Sequence, residues 1–228
     1  MSRMEARTGR SRVRGTVQGV GFRPFVYRHA VALGLSGFVR NDSEGVLIEV
    51  EGPETALSEL CRVLVECAPP LARVETVETL AIPSLATTGG FSIVESRARE
   101  EPSVPVSIDS ATCTECLLEV EDLSDRRYRY PFTNCTNCGP RYTIVVSVPY
   151  DRPATTMASF DMCDLCRSEY EDPTARRFHA QPNACPACGP RLHFTDAKGA
   201  ILQESQEALE AAVEHLCSGN VVAVKGLG

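Results

Sequence analysis

Eight of the eleven cysteines in this 228-residue chain stand in four C-x-x-C pairs: Cys113/Cys116, Cys135/Cys138, Cys163/Cys166 and Cys185/Cys188. Eighteen residues separate the two pairs of each half, and adding 50 to a cysteine number in the first half gives one in the second. The offset also relates Glu119 to Glu169, Asp122 to Asp172, Arg126-Arg127-Tyr128 to Arg176-Arg177-Phe178, and Gly139-Pro140-Arg141 to Gly189-Pro190-Arg191. The stretch is a duplicated unit. Two cysteines three apart place both sulfurs on one side of a tight turn, and four thiolates from two such turns close a tetrahedral shell around Zn²⁺. Such a shell has no open position, so two zinc ions here would be structural. Each half is too short to bury much core, and metal binding would drive its folding. Gly139 and Gly189 suit left-handed turns that aim backbone N–H groups at sulfur.

Three other chemistries use paired cysteines. Disulfides need an oxidising compartment, whereas the chain starts on a charged Met-Ser-Arg-Met-Glu-Ala-Arg segment without an apolar leader run, which points to the cytoplasm. Redox C-x-x-C chemistry needs a thioredoxin-like βαβ setting, which the pattern lacks. An iron–sulfur cluster takes the same ligands, and spacing does not separate it from zinc. The duplication favours pairing within each half; an interleaved pairing stays open. Cys61, Cys67 and Cys217 read as small buried hydrophobes on helices. His179 matches Arg129 of the first half and has no assigned role.

A second group with chemical capacity is Val17-Gln18-Gly19-Val20-Gly21-Phe22-Arg23. Two glycines ahead of a helix N-terminus aim several N–H groups at one point, a cradle for phosphate, and Arg23 adds a planar charged fork. The surrounding elements must position it. Val13, Gly15 and Val17 alternate as a strand; Phe22, Phe25/Val26, Ala30 and Leu33 follow at helical spacing from Pro24, with Gly34 as the stop. Strands 36–41 and 46–51 flank a turn at Asp42–Gly45, and Leu57, Leu60, Cys61 and Leu64 mark a second helix ended by Pro69-Pro70. Strands 72–82 and 91–95 close the unit. The order βαββαβ is that of a ferredoxin-like α+β sandwich.

The loop resembles the V-Q-G-V-x-F-R signature of the acylphosphatase family, and Gly37-Phe38-Val39-Arg40-Asn41 with Gly45 resembles that family's second signature, departing at Leu47 and Gly52. The resemblance implies that Arg23 binds phosphate and that Asn41 orients the attacking water. It also implies that the loop Gln18, Gly19, Val20, Gly21 and Phe22 holds phosphoryl oxygens through its N–H groups. His29 is expected to pack or face solvent.

Residues 96–112 read as a charged, proline-bearing linker. Tyr142, Ile144, Val146 and Val148 alternate as a strand between the cysteine halves; 192–194 and 201–202 flank a hairpin turn. Ser205 is placed to cap a helix carrying Leu209, Val213 and Leu216 and stopped by Gly219, and Val221–Val224 reads as a buried strand. A net charge of −7 argues against a large nucleic-acid footprint, and no run approaches eighteen apolar residues. The expected division is 10–96, a linker at 97–112, cysteine repeats over 113–195 (113–147 and 163–195), and 196–228 as the start of a truncated third domain.

An acylphosphatase-like unit followed by tandem C-x-x-C-x18-C-x-x-C repeats resembles the hydrogenase maturation carbamoyltransferase family (HypF). Asp125-Arg126-Arg127-Tyr128-Arg129-Tyr130-Pro131-Phe132-Thr133-Asn134-Cys135 and Arg176-Arg177-Phe178-His179-Ala180-Gln181-Pro182-Asn183-Ala184-Cys185 match its zinc repeats, and the ending resembles the opening of its YrdC-type nucleotide-binding α/β domain. The resemblance implies hydrolysis of carbamoyl phosphate in the first domain. Further domains would use ATP to form carbamoyl adenylate and carbamoylate a C-terminal cysteine of a hydrogenase maturation partner; this chain would cleave the acyl phosphate alone. A stand-alone general acylphosphatase and a zinc-based protein- or nucleic-acid-binding module are the alternative readings.

Overall fold

Period-two alternation in β1 (Ala6–Thr16) gives the strand two faces of opposite character. Val13 is fully buried on one face, whereas Arg10, Arg12 and Arg14 on the other pair with Glu49, Asp42 and Glu78. The computed structural model describes residues 6–84, 89–97 and 105–226. Residues 98–104 of the expected linker and 227–228 of the ending lie outside them.

Helix α1 (Phe22–Ala32) starts two residues before Pro24, whose missing N–H falls in the first turn where no intrahelical partner is needed; Gly34 (φ 65°) follows its end. β2 (Ser36–Asp42) and β3 (Gly45–Pro53) form a hairpin, followed by α2 (Glu54–Glu66), β4 (Arg73–Ala81) and a short β5 (Phe91–Ile93). The sheet order is β4-β1-β3-β2-β5, antiparallel except that β5 runs parallel to β2. This is the ferredoxin-like sandwich with one added edge strand. Val13, Val39, Ile48, Phe22, Val26, Ala30, Leu60 and Leu64 fill the layer between sheet and helices. The alternation that buries Val39 places Asn41 on the same face, at the end of β2 beside the loop that leaves β1.

The cysteine repeats build few regular elements. Each first C-x-x-C opens a helix, α3 (Thr114–Glu121) behind Cys113 and α4 (Asp164–Glu171) behind Cys163. The expected strand 142–148 does not form. Ile144 and Val145 donate back to the Arg141 carbonyl, Val146 and Ser147 both donate to Ala154 O, and only the bridge Val145↔Thr155 has strand geometry. The expected alternation is not realised either: Ile144 is buried while Tyr142 and Val146, which a strand would place on the same face, are exposed, and no strand among the described residues lies alongside to complete a ladder.

β6 (His193–Thr195) and β7 (Ile201–Glu204) form the expected hairpin, ahead of α5 (Ser205–Cys217). Ser205 does not cap that helix: it is the first helical residue, with Glu204 in the capping position and the Ser205 N–H held by Leu192 O. Residues 221–224 are not a strand, and Val221 and Val224 are exposed, because no strand among the described residues lies beside them. Cys67 and Cys217 are exposed rather than buried; both sit where a helix ends and its apolar face has run out. No helix among the described residues is long and apolar enough to cross a membrane.

Ile48 lies at the centre of the sandwich, so Ile48→Ala should cost about 2–5 kcal/mol of its stability, read from the shift in the denaturant midpoint at unchanged slope.

Candidate functional site

Local turns bring the sulfurs together within each half. Cys113, Cys116, Cys135 and Cys138 form one cluster, and Cys163, Cys166, Cys185 and Cys188 the other. Three sulfur pairs stand 3.6–3.8 Å apart in the first and three stand 3.6–3.7 Å apart in the second, and all four sulfurs of each cluster lie within 4.8 Å of one another. Four thiolates around zinc at ~2.3 Å lie ~3.8 Å apart, so both donor sets fit a four-thiolate metal shell. The N–H that reaches sulfur in the first cluster is that of Asn137, 3.4 Å from Cys135 Sγ. Gly139 is left-handed as expected (φ 92°), but its N–H goes to Ser110 O. Gly189 is not left-handed. It is glycine for space, since a Cβ there would lie 2.2 Å from Tyr130 Oη and 2.5 Å from Ala184 Cβ.

The repeated arginines cross between the halves. Arg126 and Arg127 donate to Glu169 at 2.6 Å, and Arg176 donates to Glu119 at 2.7 Å, joined there by Arg177. Arg127 Nε donates to Ala184 O and Arg177 Nε to Asn134 O, each at 2.9 Å. Arg126 reaches Cys166 Sγ at 3.4 Å, and Arg176 reaches Cys116 Sγ at 3.6 Å. These contacts recur at the 50-residue offset, the mark of a two-fold exchange between equivalent surfaces, whereas Arg127–Asn183 and Arg176–Glu115 have no counterpart among the described residues. The guanidinium groups offset the negative charge of the opposite thiolate cluster, and Arg127 and Arg177 are buried in doing so. Sequence inspection aligned these arginines and glutamates but did not connect them; opposite charges recurring at one offset were the available signal. Burial would raise the Glu169 pKa, but hydrogen bonds from Arg127 and Arg126 outweigh it and hold it down at about 2.

The glycine loop lies between β1 and α1. Gly19 (φ 72°) and Gly21 (φ 74°) are left-handed, while the side chains of Val20 and Phe22 are buried in the core. Among the described residues, the N–H groups of Gly19, Val20 and Gly21 donate to no backbone or side-chain acceptor, and that of Phe22 lies in the first helical turn. The Gln18 side chain is fully engaged elsewhere. Its Nε2 donates to Asp42 O and Gly45 O at 2.7 and 2.8 Å, and its Oε1 accepts from Tyr150 N at 2.9 Å. Gln18 therefore positions the loop, rather than lining it.

Arg23 and Asn41 meet beside the loop, both buried. With its amide turned so that the oxygen faces the guanidinium, Asn41 accepts from Arg23 Nε and Nη2 at 3.2 and 3.3 Å. The cysteine-repeat domain roofs the site. Arg141 Nε donates to Gly19 O, and its remaining N–H groups donate to the carbonyls of Cys135, Thr136, Cys138 and Pro140. Thr136, Tyr150, His179 and Gln181 complete the cleft. His179 thus has a place: it packs on Tyr170 and Phe178, and burial followed by the Arg23 charge pushes its pKa down to about 4, so it is neutral at pH 7. Burial pushes the Tyr150 phenol up to about 12. His29 packs edge-on against Phe25, away from this cleft.

Residues 10–93 match the acylphosphatase family, and 112–145 and 162–195 match the HypF finger. The chain is 54% identical, over 96% of its length, to carbamoyltransferase HypF2 of Cupriavidus necator. The chain belongs to the HypF family. The crystal structure of full-length HypF in its phosphate- and nucleotide-bound form is similar at a TM-score of 0.88 and 40% identity, over 98% of this chain and 29% of that one. An acylphosphatase of Caldivirga maquilingensis is 49% identical over 36% of this chain and 86% of its own length. The chain spans less than a third of the HypF2 sequence, covering 27% of it.

Breaking one cross-brace should strip Glu169 of one of its guanidinium partners and leave the Ala184 carbonyl and the Asn183 side chain without their buried donor. Arg127→Ala is expected to destabilise the repeat domain by about 3–5 kcal/mol, measured by chemical denaturation with metal content followed in parallel. The folded pKa of Glu169 lies below the ordinary 4.5, so its contribution is complete above that pH and is lost as pH falls towards about 2. The stability gap between the wild type and Glu169→Gln should accordingly close over that window in acid titrations.

Proposed function

We propose that the first domain, residues 10–96, hydrolyses an acyl phosphate, and that its substrate is carbamoyl phosphate. The observation that carries this reading is the meeting of Arg23 and Asn41 beside a glycine loop whose Gly19, Val20 and Gly21 N–H groups have no acceptor among the described residues. Those N–H groups would hold the phosphoryl oxygens and the Arg23 fork would offset their charge. Asn41 would direct a water to phosphorus in line with the carbamoyl oxygen. The water oxygen forms the new P–O bond, the bond from phosphorus to the carbamoyl oxygen breaks with its electron pair leaving on carbamate, and the water's protons pass to phosphate and solvent. No covalent enzyme intermediate is needed.

The two tetra-cysteine clusters are read as structural Zn²⁺ sites, supported by the sulfur separations and the HypF-finger match. Reduced thiolates fit a cytoplasmic setting. The substrate assignment draws on the relatives, which are carbamoyltransferases, and on the phosphate- and nucleotide-bound HypF structure. In the whole protein, ATP would convert carbamate to carbamoyl adenylate, and the carbamoyl group would pass to a cysteine of a maturation partner. Residues 196–228 would begin the nucleotide-binding part. A nucleic-acid role for Arg126–Tyr130 is disfavoured because Arg126 and Arg127 turn inward onto Glu169.

Phosphate release from carbamoyl phosphate and from acetyl phosphate tests the proposal. Arg23→Ala and Asn41→Ala should each lower kcat/KM by a factor on the order of 100 to 1000 at unchanged fold. Faster turnover of the carbamoyl substrate supports the assignment. A folded, metal-loaded chain that releases phosphate from neither would refute the hydrolase reading.

A further inference from the structure

Arg23 is held from outside its own domain. Its Nη2 lies 2.6 Å from Asp151 Oδ1 and donates to Tyr150 O at 3.2 Å, while Nη1 donates to Ser96 Oγ at 3.3 Å. Tyr150 and Asp151 belong to the segment that joins the two cysteine repeats. That segment is fixed on both sides. Gln18 Oε1 accepts from Tyr150 N, and Arg152, which follows Asp151, donates to Gln181 O, Asn183 O and Phe160 O at 2.6–2.9 Å. Arg23 stands between two clefts: the inner one carries Gly19, Gly21 and Asn41, and the outer one carries Asp151, Ser96, Tyr170 and His179.

We propose that Asp151 is a positioning residue for the phosphate-binding arginine, contributed by the metal-binding domain to the hydrolase site. The inference rests on the hydrolase reading above. A free arginine side chain samples many rotamers, a freedom it must surrender when it clamps a phosphoryl group. The Asp151 carboxylate and the Tyr150 carbonyl remove that freedom in advance, so the guanidinium meets the substrate already oriented. The Asp151 charge also opposes a phosphate dianion nearby. The two effects have opposite signs, and the sign measured after removing the carboxylate decides between an arginine held in place for phosphate and one blocked from it.

The experiment measures the affinity of the full chain for inorganic phosphate by calorimetry, and kcat and KM for acetyl phosphate, in Asp151→Ala, Asp151→Asn and Arg23→Ala. Metal content and thermal midpoint are recorded for each, and the isosteric asparagine variant serves if alanine disturbs the fold. Asp151→Ala is expected to weaken phosphate binding about tenfold and to lower kcat by a factor on the order of 10 to 100, with Asp151→Asn between it and wild type. Unchanged or tighter phosphate binding in both Asp151 variants, with binding lost in Arg23→Ala, overturns the positioning role and leaves the site assignment standing. Phosphate binding undiminished in Arg23→Ala overturns the site assignment itself and this inference with it.

Discussion

Guanidinium groups crossing between the duplicated cysteine units are what the rest of the architecture depends on. A half-unit of about thirty residues has almost no apolar core, and a four-thiolate metal shell carries net negative charge. Arg126 and Arg127 bring opposite charge to the second cluster, Arg176 and Arg177 to the first, and Glu169 and Glu119 complete each set. Neither half satisfies its own charges. The duplication therefore works only as a pair, and the pair is rigid because each buried arginine loses its partners if the halves separate.

The symmetry breaks where the pair meets the sandwich. Arg141 reaches from the carbonyls of the first knuckle to Gly19, whereas its counterpart Arg191 is exposed. Arg129 and His179 share a left-handed backbone (φ 55° and 52°) and equivalent N–H bonds to Val120 O and Tyr170 O. Yet Arg129 faces Glu210, and His179 lines the cleft beside Arg23. One side of a symmetric scaffold has become the roof of the cleft beside the glycine loop, and the other carries the hairpin and α5.

The sandwich was legible because its core follows period two in the strands and 3.6 in the helices, and because Gly19 and Gly21 stand where only left-handed backbone closes the loop. Local cysteine pairing was legible from the fifty-residue offset. The roof was not. Tyr150, Asp151 and Gln181 lie more than a hundred residues from the loop, in segments with no periodicity, and nothing local in their sequence encodes that contact. The strand read at 142–148 failed because its apolar residues share no face, Ile144 being buried and Tyr142 and Val146 exposed, and because a strand also needs a neighbour. Among the described residues Val221–Val224 has no neighbouring strand either.

If the cysteine clusters hold the roof over the cradle, affinity for inorganic phosphate should change when metal is removed by a chelator. Circular dichroism would monitor the sandwich throughout. Loss of metal should release Arg141 and Asp151 from the cleft and weaken phosphate binding about tenfold or more while the sheet stays folded. Equal phosphate affinity in the metal-free chain would contradict the account and leave the cradle a self-sufficient property of the first domain.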